Sequence, residues 1–417
     1  MGSEGVARGV RLGQRTHSRD TKPSSFRELD GGAALAVLVA MRWPKQPVDS
    51  VRPSRFHPPF CPWPACRAHL RRGKGFHSHG FYRTQRDCRR IPRFLCLDCG
   101  RTCGRKTFST AYYLKRPELL VTVAAGLVAC SAHRQISRSA LCAKTSVTRM
   151  AERLGRHAIL FQRRCLESLP GITEAVVHDH FETFIGRQDH ALGIGTAVGS
   201  ESWFLYDVDP APHKGSGRRP DRQAAELLVP NRPYVASILR SFSVLLPKVS
   251  ASEKLGGIVD GRVDYRAAVL GQALRDRVSL SVYPNPKRGP KGTPRSAAAI
   301  ARDHAMFPVD QLHQLVRHTC ADHKRETIAF GRRLESILGR AHLVAVWKNF
   351  IKWRSERKRI RKTPATWLGL TDERWRWERV LSRRLFASRS ELSISARKLY
   401  QKRWTPRMPA FERKHAA

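Results

Sequence analysis

The spacing of apolar residues changes near position 171, from a helical pattern before it to a strand pattern after it. Residues 119–130 form an apolar run of helical length, and Pro117 suits the first turn of that helix. The stretch 133–158 has the composition of two further helices, separated near residues 141–144. The pattern therefore predicts three helices in succession before the first strand.

The last two of these helices have the pattern of a helix-turn-helix. Met150 and Leu154 lie on one face of the second helix, whereas Arg149, Arg153 and Arg156 lie mostly off that face. In a helix-turn-helix the second helix enters the major groove of DNA, so we predict that these three arginines contact DNA. The alternative is a plain helical bundle that links two domains.

Three consecutive strand-like runs follow, separated by glycine and polar turns, and they read "EAVVHDHFETFIG", "HALGIGTAVG" and "SWFLYDVDP". A helix is predicted near residues 231–246, then a short strand that ends in Asp260, a helix from Tyr265 and a strand over residues 277–286. The C-terminal third reads as helical. This order predicts a multidomain α/β protein whose sheet is ribonuclease-H-like, with a mixed sheet and flanking helices.

Three carboxylates are expected to meet in such a sheet. The first strand lies beside the fourth, so Asp179 within the first and Asp260 at the end of the fourth come together. A third carboxylate is expected from the last helix, where helical angles place Glu326 beside the apolar stripe and Glu335 on the solvent side. Oxygen ligands of this kind suit Mg²⁺ or Mn²⁺. The alternative for Asp179 alone is a buried salt bridge with an arginine.

The charge balance points to a polyanionic partner. The chain has 77 Lys and Arg against 34 Asp and Glu, a formal net charge of +43. Nucleic acid binds such a surface through counterion release. The apolar run 31–41 is too short to span a membrane, which takes roughly 20 residues. We therefore expect a cytoplasmic, nucleoid-associated protein that binds double-stranded DNA and no membrane. Two basic segments, 284–295 and 348–362, are candidate DNA tracks. The first contains Lys287, Arg288 and Lys291.

Cysteines cluster in the N-terminal part of the chain. Cys61 and Cys66 form one knuckle, and Cys96 and Cys99, followed by a glycine, form a second. Four thiolates at this spacing favour a tetrahedral Zn²⁺ site that holds a small ribbon. The alternative is a set of reduced, buried cysteines. Other side chains nearby that compete as ligands are Cys88, Cys103, His57 and His69.

Taken in order, the motifs "CPWPAC", "RRIPRFLCLDCGRT", "TFSTAYYLKRPEL", "VHDHFETF", "VDGRVDYRAAV", "KRETIAFGRR", "VWKNFIK" and "TPATWLGL" cover roughly residues 56 to 385. They resemble a bacterial insertion-sequence transposase with an N-terminal zinc ribbon, a helix-turn-helix and a DDE catalytic domain. The resemblance implies Asp179, Asp260 and Glu326 as the DDE triad. The chain departs from it at Cys103 and Gly104, where such proteins tend to carry Phe-Ser.

The resemblance implies binding to the terminal inverted repeats of an element, followed by metal-dependent strand cleavage and transfer into target DNA. A homo-oligomer assembled on DNA is implied as well. The expected domains are a leader (1–55), the ribbon (56–110), the helix-turn-helix region (111–170), the catalytic domain (171–345) and a basic helical region (346–417). Translation starting at Met41 is an alternative. Two other functions stay open: a non-catalytic DNA-binding regulator or decayed transposase, and a structure-specific nuclease.

Overall fold

The computed structural model describes residues 43–48, 55–71, 75–83, 90–214, 232–287, 289–290, 292–324, 327–357 and 361–404. Within these ranges the chain is a mixed α/β protein with two separate sheets. Among the described residues, every helix is too short or too polar to cross a membrane.

The strands are β1 (Phe76–Tyr82), β2 (Ile91–Cys96), β3 (Thr102–Gly104), β4 (Val176–Ile185), β5 (Arg187–Gly199), β6 (Leu205–Lys214), β7 (Leu255–Val259) and β8 (Val278–Val282). The helices are α1 (Leu119–Leu127), α2 (His133–Ser139), α3 (Lys144–Ser168), α4 (Pro233–Leu245), α5 (Val263–Leu270), α6 (Gln272–Arg275), α7 (Ala297–Thr319), α8 (Leu334–Phe350), α9 (Pro364–Trp367), α10 (Trp377–Val380) and α11 (Ile394–Tyr400). Short 3₁₀ turns lie at residues 67–69, 105–108, 246–248, 321–323 and 387–389.

The larger sheet has five strands in the order β6-β5-β4-β7-β8. β4, β5 and β6 form an antiparallel meander, and β7 and β8 run parallel to β4. The predicted neighbourhood of the first and fourth strands of this sheet is therefore confirmed. β1, β2 and β3 form a small antiparallel sheet beside the cysteine knuckles.

Strand β4 is largely buried on both faces, although half of its ten residues are polar. Val177 and Phe181 face a core that also contains Val309 and Leu312 of α7. Side chains alternate along a strand, so His178 and His180 face the opposite side. His178 lies there against Phe242 of α4, with ring centroids 5.7 Å apart. Helices thus cover both faces of the strand that carries Asp179.

Helix α3 joins the N-terminal helices to the main core. Its first half has exposed positions, whereas its second half is buried at nearly every residue. It crosses α8 at a pair of glycines, where a Cβ added to Gly155 would lie 2.9 Å from Cα of Gly339. Because neither residue has a side chain, the two helix backbones approach more closely than larger residues would permit.

The prediction of one helix running through residue 326 into α8 was wrong. Residues 327–333 are not helical, and α8 begins at Leu334. The Thr327 hydroxyl donates to the carbonyl of Ala321 and accepts from the backbone N–H of Ala329, so it supports a local turn that competes with a helix. The helical angles that separated Glu326 from Glu335 therefore do not apply. Glu326 itself lies outside the described residues, and Glu335 is half-buried in the first turn of α8.

Candidate functional site

The four predicted cysteines form one compact cluster. The ligand atoms of Cys61, Cys66, Cys96 and Cys99 all lie within 4.8 Å of one another. The Sγ atoms of Cys61 and Cys99 are 3.7 Å apart, as are those of Cys66 and Cys96. Four sulfurs at about 2.3 Å from a tetrahedral ion lie about 3.8 Å from one another, so the cluster is compatible with zinc.

Local backbone geometry forms the second knuckle. The N–H of Gly100 donates to the carbonyl of Cys96 at 2.9 Å, and Gly100 has a φ of +65°. A left-handed residue at this point turns the chain back and keeps Cys96 and Cys99 on one side, which explains the glycine after the second cysteine. Burial raises the pKa of the Cys61 thiol, and a bound cation is what stabilises such a group as a thiolate.

The other cysteines and histidines that sequence analysis named as competing zinc ligands are not part of the four-cysteine cluster in the described residues. Cys103 lies on β3, opposite Phe94, and is separate from the cluster. His69 uses both ring nitrogens elsewhere, with Nδ1 2.7 Å from the carbonyl of Cys61 and Nε2 2.7 Å from Ser388 Oγ. The His57 ring packs on Phe94. Cys88 lies outside the described residues.

Asp179 and Asp260 come together at the junction of two parallel strands. His178 of β4 is aligned with Val259, the last residue of β7. Asp179 directly follows His178, and Asp260 directly follows Val259, so the two aspartates lie side by side. Each carboxylate accepts a local backbone hydrogen bond, from the N–H of His180 to Asp179 Oδ1 and from the N–H of Arg262 to Asp260 Oδ1. These bonds orient the two carboxylates.

The second oxygen of Asp179 faces a histidine of helix α7. Oδ2 lies 3.8 Å from Nδ1 of His313. The Thr196 hydroxyl donates to the carbonyl of Asp179 and lies 3.0 Å from His313 Nε2, so it accepts the proton of that nitrogen. His313 therefore presents the lone pair of Nδ1 to the carboxylate. Two acceptors face each other here, an arrangement that a cation or a proton on Asp179 would stabilise.

Burial and the neighbouring Asp260 raise the pKa of Asp179 to about 7. Burial lowers the pKa of His313 to about 3, so this imidazole is neutral at neutral pH. The site thus combines a carboxyl group that ionises with difficulty and a neutral nitrogen base. Because His313 is neutral, it supplies no positive charge to Asp179, and both features suit a pocket in which a bound cation supplies that charge.

A third acidic side chain near Asp179 was missed by sequence analysis. Asp310 lies on α7, one turn before His313, and its charge contributes to the raised pKa of Asp179. Arg302 is hydrogen-bonded to both oxygens of Asp310. The sequence carried one signal, the spacing of Asp310 and His313 at i and i+3 on one helical face. The place of Glu326 in the site stays a prediction.

The three arginines predicted to contact DNA differ in their surroundings. Arg149 is exposed near the start of α3. Arg153 is half-buried and donates to the carbonyl of Thr110 at 2.9 Å, so its guanidinium already has a role in packing. Arg156 is exposed, and its guanidinium lies 5.9 Å from the ring centroid of Tyr400. Arg149 and Arg156 are the more accessible of the three.

The two basic segments are only partly open to solvent. Lys287 is exposed, whereas Arg288 and Lys291 lie outside the described residues. In the second segment, Lys348 is 4% exposed and donates to the carbonyl of Trp203, so it is a buried residue and not part of a DNA track. Arg354 is stacked between Trp203 and Trp367, at 4.2 and 4.6 Å from their ring centroids. Part of this basic segment is therefore packed against aromatic side chains.

Comparisons with known proteins give no further assignment: no family model matches the chain, and no curated protein matches it either.

Proposed function

We propose that the protein is a DNA transposase that uses bound divalent metal to cleave DNA strands and transfer them. The observation that carries this proposal is the pairing of Asp179 with Asp260 at the end of the parallel strand β7, with Asp310 and His313 supplied by the helix across the site. The strand order β6-β5-β4-β7-β8 supports a ribonuclease-H-like domain, as the sequence pattern predicted.

The chemistry of the donor set supports a hard divalent cation. Asp179 and Asp260 would hold Mg²⁺ or Mn²⁺, with Asp310 or Glu326 as the third carboxylate. The metal, when bound, would activate the attacking oxygen and stabilise the leaving oxygen of a phosphodiester. The neutral His313, whose Nδ1 lone pair faces Asp179, would supply a nitrogen ligand beside these carboxylates. Arg302, which pairs with Asp310, would orient that carboxylate.

Charge supports DNA as the substrate. A net charge of +43 attracts a polyanion, whereas a local group of carboxylates would repel phosphates unless metal lay between them. The exposed side chains of Arg134, Arg138 and Arg149 project from α2 and the start of α3, where a helix-turn-helix would meet the major groove. The cysteine cluster would hold Zn²⁺ in a ribbon that helps to bind the element ends. Assembly on paired ends would make the active form a homo-oligomer.

The test is an in vitro reaction on DNA that carries the inverted repeats flanking the gene. The full-length protein should cleave and join such DNA with Mg²⁺ or Mn²⁺, and Asp179→Asn or Asp260→Asn should reduce the rate by several orders of magnitude. The control is Asp276→Asn, since Asp276 is an exposed carboxylate away from the sheet junction. Comparing Asp310→Asn with Glu326→Gln identifies the third carboxylate. Full activity in both Asp179→Asn and Asp260→Asn would overturn the proposal.

A non-catalytic DNA-binding regulator is the second candidate, and the exposed arginines of α2 and α3 favour it equally. If the protein is such a regulator, the unaltered protein should bind the repeats specifically but should neither cleave nor join DNA when Mg²⁺ or Mn²⁺ is present. A nuclease of the same fold predicts cleavage without joining. The same assay, scored for cut and joined products, distinguishes the three.

A further inference from the structure

The face of the sheet opposite Asp179 carries a second group of ligand atoms. His178 and His180 are 0% and 6% exposed, and they lie on the same face of β4 because side chains alternate along a strand. Their ring centroids are 5.1 Å apart. Among the described residues, Nε2 of His178 and both ring nitrogens of His180 have no hydrogen-bond partner. Buried imidazole nitrogens of this kind normally have one.

Two of these three nitrogens, the Nε2 atoms of His178 and His180, lie close to a single point. A Cβ added to Gly195, the residue of β5 aligned with His180, would lie 3.2 Å from Nε2 of His180 and 3.3 Å from Nε2 of His178. The same point lies 2.8 Å from Oγ of Ser237, on helix α4. Gly195 therefore leaves room between two imidazoles and a hydroxyl that any other residue would fill.

Hydrogen bonding determines which atoms point into this space. The Tyr265 hydroxyl donates to the carbonyl of His178 at 2.9 Å and lies 3.1 Å from Nδ1 of His178. Its proton is thus used, and it accepts the proton of Nδ1, which leaves Nε2 of His178 as a bare lone pair. A hydrogen-bond acceptor behind the ring is the usual way in which a metal-binding histidine is oriented.

Ser237 presents lone pairs to the same space. Its hydroxyl donates to the carbonyl of Asp209 at 3.4 Å, so its oxygen faces the two histidines as an acceptor. Two acidic side chains, Asp207 and Asp209, lie on the same face of the sheet two strands away. Ala197 of β5 is aligned with His178 of β4 on one side and with Asp207 of β6 on the other, so Asp207 lies on the same face of the sheet as His178. Two strand spacings separate the backbones of His178 and Asp207, a distance of about 10 Å. Asp209 is paired with Arg240, and the Asp207 carboxylate accepts a hydrogen bond from Ser241 at 2.8 Å.

We infer that His178, His180 and Ser237 form a binding site for one transition-metal ion, separate from the cysteine cluster and from Asp179. Two imidazole ligands favour Zn²⁺, Co²⁺, Ni²⁺ or Cu²⁺ over Mg²⁺, which prefers oxygen. The rings of Tyr234 and Phe242 enclose the histidines, with centroids 4.7 Å from His180 and 5.7 Å from His178. The ion would fix β4 to α4 and stabilise the strand that carries Asp179.

The site can be tested by cobalt loading of the full chain. Protein made in medium with Co²⁺ and dialysed against excess Mg²⁺ should retain about two cobalt ions per chain, one in the cysteine cluster and one at the histidines. Thiolate ligands give an intense near-ultraviolet charge-transfer band that imidazole ligands lack. Mass spectrometry of the metal content and the absorption spectrum therefore report the two sites separately.

Variants assign the second ion. His180→Gln and Gly195→Ala, which places a methyl group in the space, should each lower the content by about one ion and keep the thiolate band. Cys99→Ser should remove the band and leave the histidine-bound ion. The matched control is His342→Gln, because His342 is also buried with an unpartnered Nε2 but lies on α8. If Gly195→Ala does not fold, His180→Gln still decides the question. One cobalt per chain in the unaltered protein, with no loss in His180→Gln, would overturn the inference.

Discussion

Asp179 and Asp260 each follow one member of an aligned pair on adjacent parallel strands, His178 on β4 and Val259 on β7. Hydrogen bonding along the sheet fixes this relationship, so two carboxylates are held together in a protein with a large excess of positive charge elsewhere. Such an arrangement has consequences for stability as well as for chemistry.

Asp179→Asn should stabilise the metal-free protein at high pH. The carboxyl ionises near its ordinary pKa of 3.8 in the unfolded chain but at about 7 in the folded chain. Ionisation therefore favours the unfolded state, and the free energy of unfolding falls as pH rises from about 4 to above 7. Removing the charge should recover up to about 4 kcal/mol at pH 8. Urea unfolding with chelator present, at pH 5 and pH 8, measures the difference.

A structural salt bridge at Asp179 makes the opposite prediction. Breaking a buried ion pair would destabilise the Asn variant by roughly 3–5 kcal/mol at pH 8. A variant that unfolds more readily than the parent at this pH, yet keeps metal-dependent cleavage when folded, would refute a metal-binding role for this residue.

The buried histidines should make the protein sensitive to acid. Burial lowers the pKa of His157 to about 4, although its ring nitrogen Nε2 contacts the carbonyl of Val380 at 3.0 Å. The unfolded state binds the proton first, so stability from this group is complete above about pH 6.5 and is lost as pH falls towards 4. The free energy of unfolding should fall by about 2 kcal/mol less between pH 7 and pH 5 in His157→Gln than in the unaltered protein. The exposed His304, changed to Gln, is the control and should alter nothing.

The cysteine cluster should lose its metal on a single substitution. Cys99→Ser should lower the zinc content by about one ion per chain, because serine is a poor ligand for zinc. Cys103→Ser changes a buried cysteine of the same small sheet that lies outside the cluster, and zinc should be retained. Elemental analysis of both variants, purified in parallel, gives the answer; equal zinc in the two would exclude the assignment.

The glycine crossing of α3 and α8 should not tolerate a side chain. Gly155→Ala would place a methyl carbon 2.9 Å from the backbone of Gly339, and the helices would have to separate. Overpacking of this kind costs about 1–3 kcal/mol of unfolding free energy. Gly171→Ala is the control, since its nearest atom is the carbonyl oxygen of Lys248 at 3.6 Å, an ordinary contact. Denaturant midpoints of the two variants should differ clearly.

Arg149 and Arg153 should have different effects on DNA binding and stability. Arg149→Ala should weaken DNA binding and lower the slope of log affinity against log salt by about 1, with little change in stability. Arg153→Ala removes the hydrogen bond to the carbonyl of Thr110 and should lower the thermal midpoint instead. Salt titrations by fluorescence anisotropy, with thermal unfolding of the same samples, separate the two. A loss of salt dependence with Arg153→Ala alone would reverse the assignment.

The sequence by itself determined the elements that depend on local patterns. Alternating apolar residues, glycine turns and β-branched runs predicted the strands of the main sheet, and the order of elements predicted that β4 lies beside β7. Cysteine spacing predicted the cluster, because a knuckle is formed by a few consecutive residues whose turn geometry is local.

Only the tertiary structure decided which distant side chains share a site. Asp310 and His313 reach Asp179 because α7 packs across β4, and no local pattern encodes that packing. The turn at residues 327–333 is supported by hydrogen bonds of Thr327 that oppose a helix, so helical angles do not apply there and the choice of Glu326 stays a prediction. The space above Gly195 is likewise formed by three separate elements. Their convergence is fixed by packing and by strand register, which a single sequence does not reveal.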